Sequence, residues 1–168
     1  EEDNLVRTLT ALAPLAPALE RVVLVDSGST DQTLALARRH APAGVDLELL
    51  QRPFDTFAAQ WNFGLAQVRS AWVLSLDADY RITSALAEAM RRALSAEGHQ
   101  ELAGYSIPFR YCVFGRPLRG TVLPPRIALF RRNAGTYVDD GHTQDLQLRG
   151  RCGAITAPIL HDDRKPLA

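Results

Sequence analysis

Residues 22–41 read "VVLVDSGSTDQTLALARRHA", and the hydrophobic period changes in the middle of the stretch. Val22 to Val25 are four consecutive apolar residues, the pattern of a strand covered on both faces, as in a parallel sheet. Asp26 closes that run, and Ser27, Gly28 and Ser29 supply a turn. Ser29 with Gln32 matches a capping box, and Leu34, Ala37 and Ala41 mark the apolar stripe of a helix. A strand running through a short turn into a helix is the repeating unit of a doubly wound α/β sheet, and such sheets bind ligands beyond the carboxyl ends of their strands.

The same alternation extends in both directions. Upstream, Leu5, Leu9 and Leu12 share one helix face, which Pro14 ends. Downstream, "VDLELLQRP" (45–53) reads as a strand, "FAAQWNFGLAQV" (57–68) as a helix and "AWVLSLDAD" (71–79) as a strand. In "SALAEAMRRALSAEG" (84–98), Leu86, Met90 and Leu94 recur every four residues, and Gly98 is placed as a stop. Beyond Gly98 the pattern changes to short Tyr/Phe/Ile segments broken by Gly and Pro, in "GYSIPFRYCVFGRPLRG" (104–120) and "RIALFRR" (126–132), which read as antiparallel strands and loops. One domain over 1–168 is expected, with an alternating half (1–98) and a smaller antiparallel half (99–168).

Composition fits this reading and excludes others. A chain of 168 residues with 46% hydrophobic residues can bury a sizeable core. Nineteen basic residues balance nineteen acidic ones, so no overall field recruits nucleic acid, and anion binding must come from a local arrangement. Two cysteines, Cys112 and Cys152, suit ordinary thiols of a reducing compartment, and a cytoplasmic location is expected. No apolar stretch approaches the ~20 residues of a membrane helix.

Asp26 ends one expected strand, and Asp77 with Asp79 ends another. An open parallel sheet brings all three to one edge, where a turn after Leu76 would aim both members of the pair into one cleft. Carboxylates so placed repel unless a cation lies between them. Hard oxygen ligands suit Mg²⁺ or Mn²⁺, which complete their shells with water and substrate phosphates. The ordinary alternative is that Asp-x-Asp at a strand end only forms a turn, and that "DSGSTD" is only a capping loop.

With "VVLVDSGSTDQTLALARRHA" followed by "WVLSLDADY", the chain resembles the family 2 glycosyltransferases. "QWNFGLAQVRSAWVLSLDAD" and "LFRRNAGTYVDDGHTQDLQLRGRCGAITAPILHDDRKPL" are similar to the branch containing the lipopolysaccharide core β-glucosyltransferases. The resemblance implies a GT-A fold, with a Rossmann-like, mostly parallel sheet carrying helices on both faces. It makes 1–98 the nucleotide-binding half and 99–168 the acceptor-side half. Because the family's first strand commonly leads into "NEEDNL", it also implies that this strand is missing ahead of Glu1.

On the same resemblance, Asp26, with Ser27 and Gly28, would hold the nucleotide, Asp77 the ribose or a metal-bound water, and Asp79 the metal directly. By their own chemistry rather than the resemblance, His161 is a candidate for approaching the metal or diphosphate and Arg164 and Lys165 for clamping phosphate oxygens, with Arg126, Arg131 and Arg132 as further phosphate candidates. Asn62 lies where relatives carry an Arg-Asn pair and is expected near the nucleotide. Trp61 stands in the arginine's place, or is core packing. The branch has a His-Glu pair near "DDGHTQ", but His142 is followed here by Thr143. The general base is therefore taken as Asp140, with Asp139 and His142 as alternatives, and a tight Asp-Gly turn as the structural reading. Asp162 and Asp163 read as a solvated terminus.

The implied reaction is inverting transfer from a nucleotide-diphosphate sugar to a glycolipid or saccharide acceptor of a bacterial envelope, with peripheral contact at the inner membrane face left open. The rivals are a sugar-nucleotide pyrophosphorylase and a non-catalytic nucleotide-sugar-binding module.

Overall fold

The computed structural model describes residues 2–113, 115–120, 124–141 and 143–164. Helix α1 (Glu2–Ala11) leads through a 3-10 segment (Ala13–Ala18) into strand β1 (Arg21–Asp26). There follow α2 (Thr33–His40), β2 (Asp46–Gln51), α3 (Phe57–Gln67), β3 (Trp72–Leu74), β4 (Tyr80–Arg81) and α4 (Ser84–Ser95). The second half is built of strands: β5 (Leu102–Ile107), β6 (Phe109–Val113), β7 (Arg116–Pro117), β8 (Arg126–Arg131), β9 (Gly135–Asp140), β10 (Thr143–Leu148), β11 (Arg151–Ala154) and β12 (Ile159–His161).

β1 and β2 run parallel, in register from Arg21 with Asp46 to Asp26 with Gln51. β3 pairs antiparallel with β8, at the edge of a four-stranded sheet ordered β11-β5-β8-β3. A second four-stranded sheet is ordered β4-β12-β6-β7, and β9 and β10 form a hairpin. Parallel pairing joins β1 to β2, β5 to β11 and β6 to β12. Val22 to Val25 are only half-buried rather than covered on both faces, since among the described residues β1 pairs with β2 alone.

Side-chain alternation along β3 and β8 divides the core in two. Trp72, Leu74 and Leu129 pack with α1, α4 and the apolar residues of β1 and β2. Val73, Phe130 and Ile127 face the other way, onto Ala58, Trp61 and Leu65 of α3 and onto Tyr137 of β9. The phase holds across β8 because a bulge at Ala128 sets Tyr105 opposite Leu129 and Ser106 opposite Ile127. One extra residue lets Ala128 and Leu129 stay on one face while Ile127 turns to the other. Helices therefore cover both faces. Leu5, Leu9 and Leu12 are buried as their spacing requires, as are Leu86 and Met90 of α4. Thr83 caps α4 by accepting from the Leu86 N–H, and Gly98 follows in the left-handed region.

Two local expectations change. The Ser29–Gln32 capping box does not form: Gln32 takes the cap position without a side-chain bond, and the Asp31 carboxylate accepts from the Thr33 N–H instead. Asp162 is not part of a solvated terminus but is fully buried. Arg164 donates to both its carboxylate oxygens and Arg81 to one, while Arg7 donates to its carbonyl and stands 3.8 Å from its carboxylate. Both cysteines are free.

Candidate active site

Asp26 is buried at the end of β1, and its Oδ2 accepts the N–H groups of Gly28 and Ser29 at 3.0 Å each, with Gln51 Nε2 at 3.4 Å. Gly28 sits at φ 99°, a conformation that side chains rarely adopt, and this lets two successive N–H groups turn onto one carboxylate. Burial pushes the Asp26 carboxyl up, but the bonds from Ser29, Gly28 and Gln51 outweigh it and hold the pKa below the usual range. Ser27 Oγ accepts from Gln60 of α3, so the loop is tied to the helix beside it.

The second acidic segment follows β3. Asp77 is half-buried, and desolvation together with the nearby Asp79 charge raises its pKa, against the opposing influence of the Tyr80 hydroxyl. Asp79 Oδ2 accepts from His161 Nε2 at 2.8 Å, across the antiparallel pairing of β4 with β12. That bond, with Asp77 near by, raises the His161 pKa against partial desolvation. The His161 ring lies between Tyr80 and Tyr111, at centroid distances of 5.2 and 4.5 Å. Asp162 N–H donates to the Asp79 carbonyl, and Thr8 of α1 donates to that of Ala78, so the loop is fixed from both sides.

The other carboxylate oxygen, Asp79 Oδ1, is buried and has no hydrogen-bond partner. Such an atom is costly unless a ligand satisfies it. Among the described residues no group of three or more His, Cys, Asp or Glu stands close enough to hold an ion unaided. Asp77, Asp79 and His161 therefore do not form a closed cage. A hard divalent cation fits nonetheless: Asp79 Oδ1 offers an oxygen, His161 Nε2 would offer a nitrogen once deprotonated and released from Asp79 Oδ2, and Mg²⁺ or Mn²⁺ draws its remaining ligands from phosphate and water.

Asp77 opens onto a cleft of about 380 Å³ lined on its polar side by Arg126, Asp140, Gln144 and Asp145. Trp61, Tyr80, Phe109 and Tyr137 supply aromatic lining. Trp61 and Tyr137 pack at 5.2 Å, so Trp61 serves the second core cluster and the cleft together. The Tyr137 hydroxyl is buried without a partner, and burial pushes its pKa up to about 12. Tyr137, Gln144 and Asp145 are site residues that no sequence motif marks. The alternation of β9 and β10 was the available signal, but the strands' shared wall with β8 was not readable from it.

Other expected site residues have structural partners. Asn62 bridges both backbone groups of Tyr137, donating to its carbonyl at 2.8 Å and accepting its N–H at 3.0 Å. It thereby replaces a neighbouring strand on the free edge of β9. Asp139 accepts the Ala58 N–H in the first turn of α3, a favourable end for a carboxylate. Asp140, next to it on the strand, lines the cleft instead. Arg164 is engaged with Asp162. Arg131 donates to the carbonyls of Leu102 and Gln100 and lies over the Trp72 ring. His142 and Lys165 lie outside the described residues.

Residues 1–154 match the model of glycosyl transferase family 2. The chain belongs to that family. A similar protein is the lipopolysaccharide core biosynthesis glycosyltransferase LpsC of Rhizobium meliloti (strain 1021), 34% identical over 151 residues, which are 86% of this chain and 55% of LpsC. An uncharacterized glycosyltransferase of Rickettsia felis is 22% identical over 106 residues, covering 63% of this chain and 36% of that protein. The chain thus spans about half or less of the length of these relatives. Among solved structures, S. aureus TarS 1-349 in complex with UDP-GlcNAc superposes with a TM-score of 0.70 over 99% of this chain and 56% of its own, at 18% identity. Its complex with UDP gives 0.64 over 96% and 57%, also at 18% identity. The fold is the GT-A fold of the family.

Among the described residues no helix is long and apolar enough to cross a membrane.

Proposed function

We propose that this protein is an inverting glycosyltransferase that takes a sugar from a nucleotide-diphosphate donor, with Mg²⁺ or Mn²⁺, and delivers it to a saccharide of a lipopolysaccharide core or related envelope glycan. The observation that carries the reading is the unpartnered Asp79 Oδ1, buried beside His161 at the end of a segment whose Asp77 opens onto the cleft. The family match, the likeness to LpsC and the UDP-GlcNAc complex of TarS support it.

Asp26 and its turn would receive the nucleotide, while Asp79 with His161 would hold the cation. When bound, the cation would offset the charge that develops on the departing diphosphate. Arg126, beside Asp77 in the cleft, is suited to a phosphate oxygen. Asp140, a cleft carboxylate at the end of β9, would take the proton of the acceptor hydroxyl. The aromatic lining gives sugar faces a surface to pack on and narrows access for water.

Donor binding tests the site. The melting temperature is expected to rise with UDP or another nucleoside diphosphate only when Mn²⁺ or Mg²⁺ is also present, by about 2.7 kcal/mol of added stability at a hundredfold excess over Kd. No metal-dependent shift with any nucleotide would remove the reading.

Asp140→Asn tests the base separately. It is expected to lower turnover by roughly 10²- to 10⁴-fold, the usual size of general-base assistance, while leaving donor binding unchanged. Unchanged turnover would move the role to Asp145 or elsewhere in the cleft. A wild type that binds donor and turns over no acceptor would favour a binding module.

A further inference from the structure

The basic residues are unevenly placed. From Leu102 to Val138 there are six arginines, at 110, 116, 119, 126, 131 and 132, and no acidic residue. The rest of the chain holds thirteen basic against nineteen acidic residues, so a neutral protein has one strongly basic segment. Three of these arginines, Arg110, Arg116 and Arg119, lie on or next to β6 and β7 and are exposed.

These two strands form the outer end of their sheet. β12 pairs with Phe109, Arg110 and Tyr111 only, so Cys112 and Val113 extend past it, paired to β7 alone. Cys112 stands opposite Pro117 and Val113 opposite Arg116, and the Leu118 N–H donates to the Tyr111 carbonyl. With a side-chain period of two, Tyr111, Val113, Arg116 and Leu118 share one face. Val113 is 51% exposed and Leu118 45%, among the few large apolar residues so open. The same face continues inward to the Tyr111 ring, which packs on His161.

We propose that β6 and β7 form a docking surface for an anionic lipid bilayer. Val113 and Leu118 would enter the interface with Arg116 beside them, and Arg110 and Arg119, on the opposite face of the same hairpin, would flank it toward the headgroup phosphates. Among the described residues of this hairpin every charged side chain is an arginine, so its exposed apolar pair is complementary to such a surface in polarity and in charge. That docking would bring a lipid-anchored acceptor beside Asp79 and His161 rests on the glycosyltransferase reading. The docking itself does not.

The test is co-sedimentation of the protein with vesicles of phosphatidylcholine alone and of phosphatidylcholine mixed with phosphatidylglycerol, without donor or metal, so that it stands or falls apart from catalysis. Binding is expected to the mixed vesicles only and to weaken as salt is raised. In Arg116→Glu/Arg119→Glu partitioning should fall at least about 25-fold, at roughly fivefold per arginine lost. Val113→Asp/Leu118→Asp should also lose binding while its melting temperature stays near that of the wild type. The proposal is overturned by equal binding to both vesicle types, by variants that bind like the wild type, or by release with inorganic phosphate at matched ionic strength, which would indicate a discrete phosphate site. Self-association in solution that the Val113→Asp/Leu118→Asp variant abolishes would overturn it in favour of a second copy of the chain.

Discussion

Asp79→Ala is expected to lower sugar transfer by about a thousandfold or more, with the fold retained. The variant removes the half-buried carboxylate whose buried Oδ1 has no protein partner and whose Oδ2 accepts from His161. Cation stabilisation of a leaving group is worth several kcal/mol of the barrier, and about 4 kcal/mol corresponds to three decades in rate. Neither neighbour replaces it: His161 brings a single nitrogen, and Asp77 lines the cleft. The measurement is turnover at saturating donor and Mn²⁺, alongside the circular dichroism spectrum and the metal dependence of donor binding. Activity within tenfold of the wild type would take Asp79 out of the reaction. Loss of turnover with undiminished metal-dependent binding would leave it in the reaction but shift the cation to other ligands.

Asp162→Ala should cost the most stability of any single polar substitution, roughly 3–5 kcal/mol, because it leaves several guanidinium groups around a buried site without their counter-charge. For a chain of this size that is a fall of roughly 6–20 °C in melting temperature. Asp162 is fully buried, and around it converge Arg7 of α1, Arg81 of β4 and Arg164 beyond β12. The substitution therefore loosens the tie between α1 and the segment after β12, leaving the Arg7 bond to the backbone carbonyl and the Asn4 bonds to Asp163 and Arg164. Burial alone would push the Asp162 carboxyl up, but hydrogen bonds from Arg164 and Arg81, with the charge of Arg7, hold it below the ordinary value of 3.8. The sign follows from linkage: a depressed folded pKa contributes stability that is present above the unfolded value and is lost as pH falls through the folded one. The difference in stability between wild type and Asp162→Asn should hold from neutral pH to about 4 and shrink below it. Chemical denaturation across that range measures it. A loss under about 1 kcal/mol at neutral pH would mean the arginines are satisfied by solvent and the cluster is ornamental to the fold.

Both predictions concern residues whose partners lie far along the chain. The strand expected over 71–79 stops at Leu74 and leaves Asp77 and Asp79 in the turn beyond it, whereas the alternating elements of the first half, the buried stripe of α1, the α4 helix with its stop at Gly98 and the Asp26 strand end were legible in the sequence. Each depends on periodicity or turn chemistry set within a few residues, where the backbone's own geometry fixes which side chains share a face. The family signature was legible for the same reason, being carried by two short segments.

Only the tertiary structure decided which of those residues meet. His161 and Asp162 are adjacent in sequence, and a strand turns consecutive side chains to opposite faces. One therefore joins Asp79 while the other gathers three arginines, a division set by how β12 pairs with β4 and β6. Asp139 and Asp140 divide in the same way, the first holding the start of α3 and the second lining the cleft. Local sequence determined that carboxylates end these strands. Strand pairing determined their partners, because contacts across eighty residues depend on register and on which face packs inward, and no local pattern encodes either.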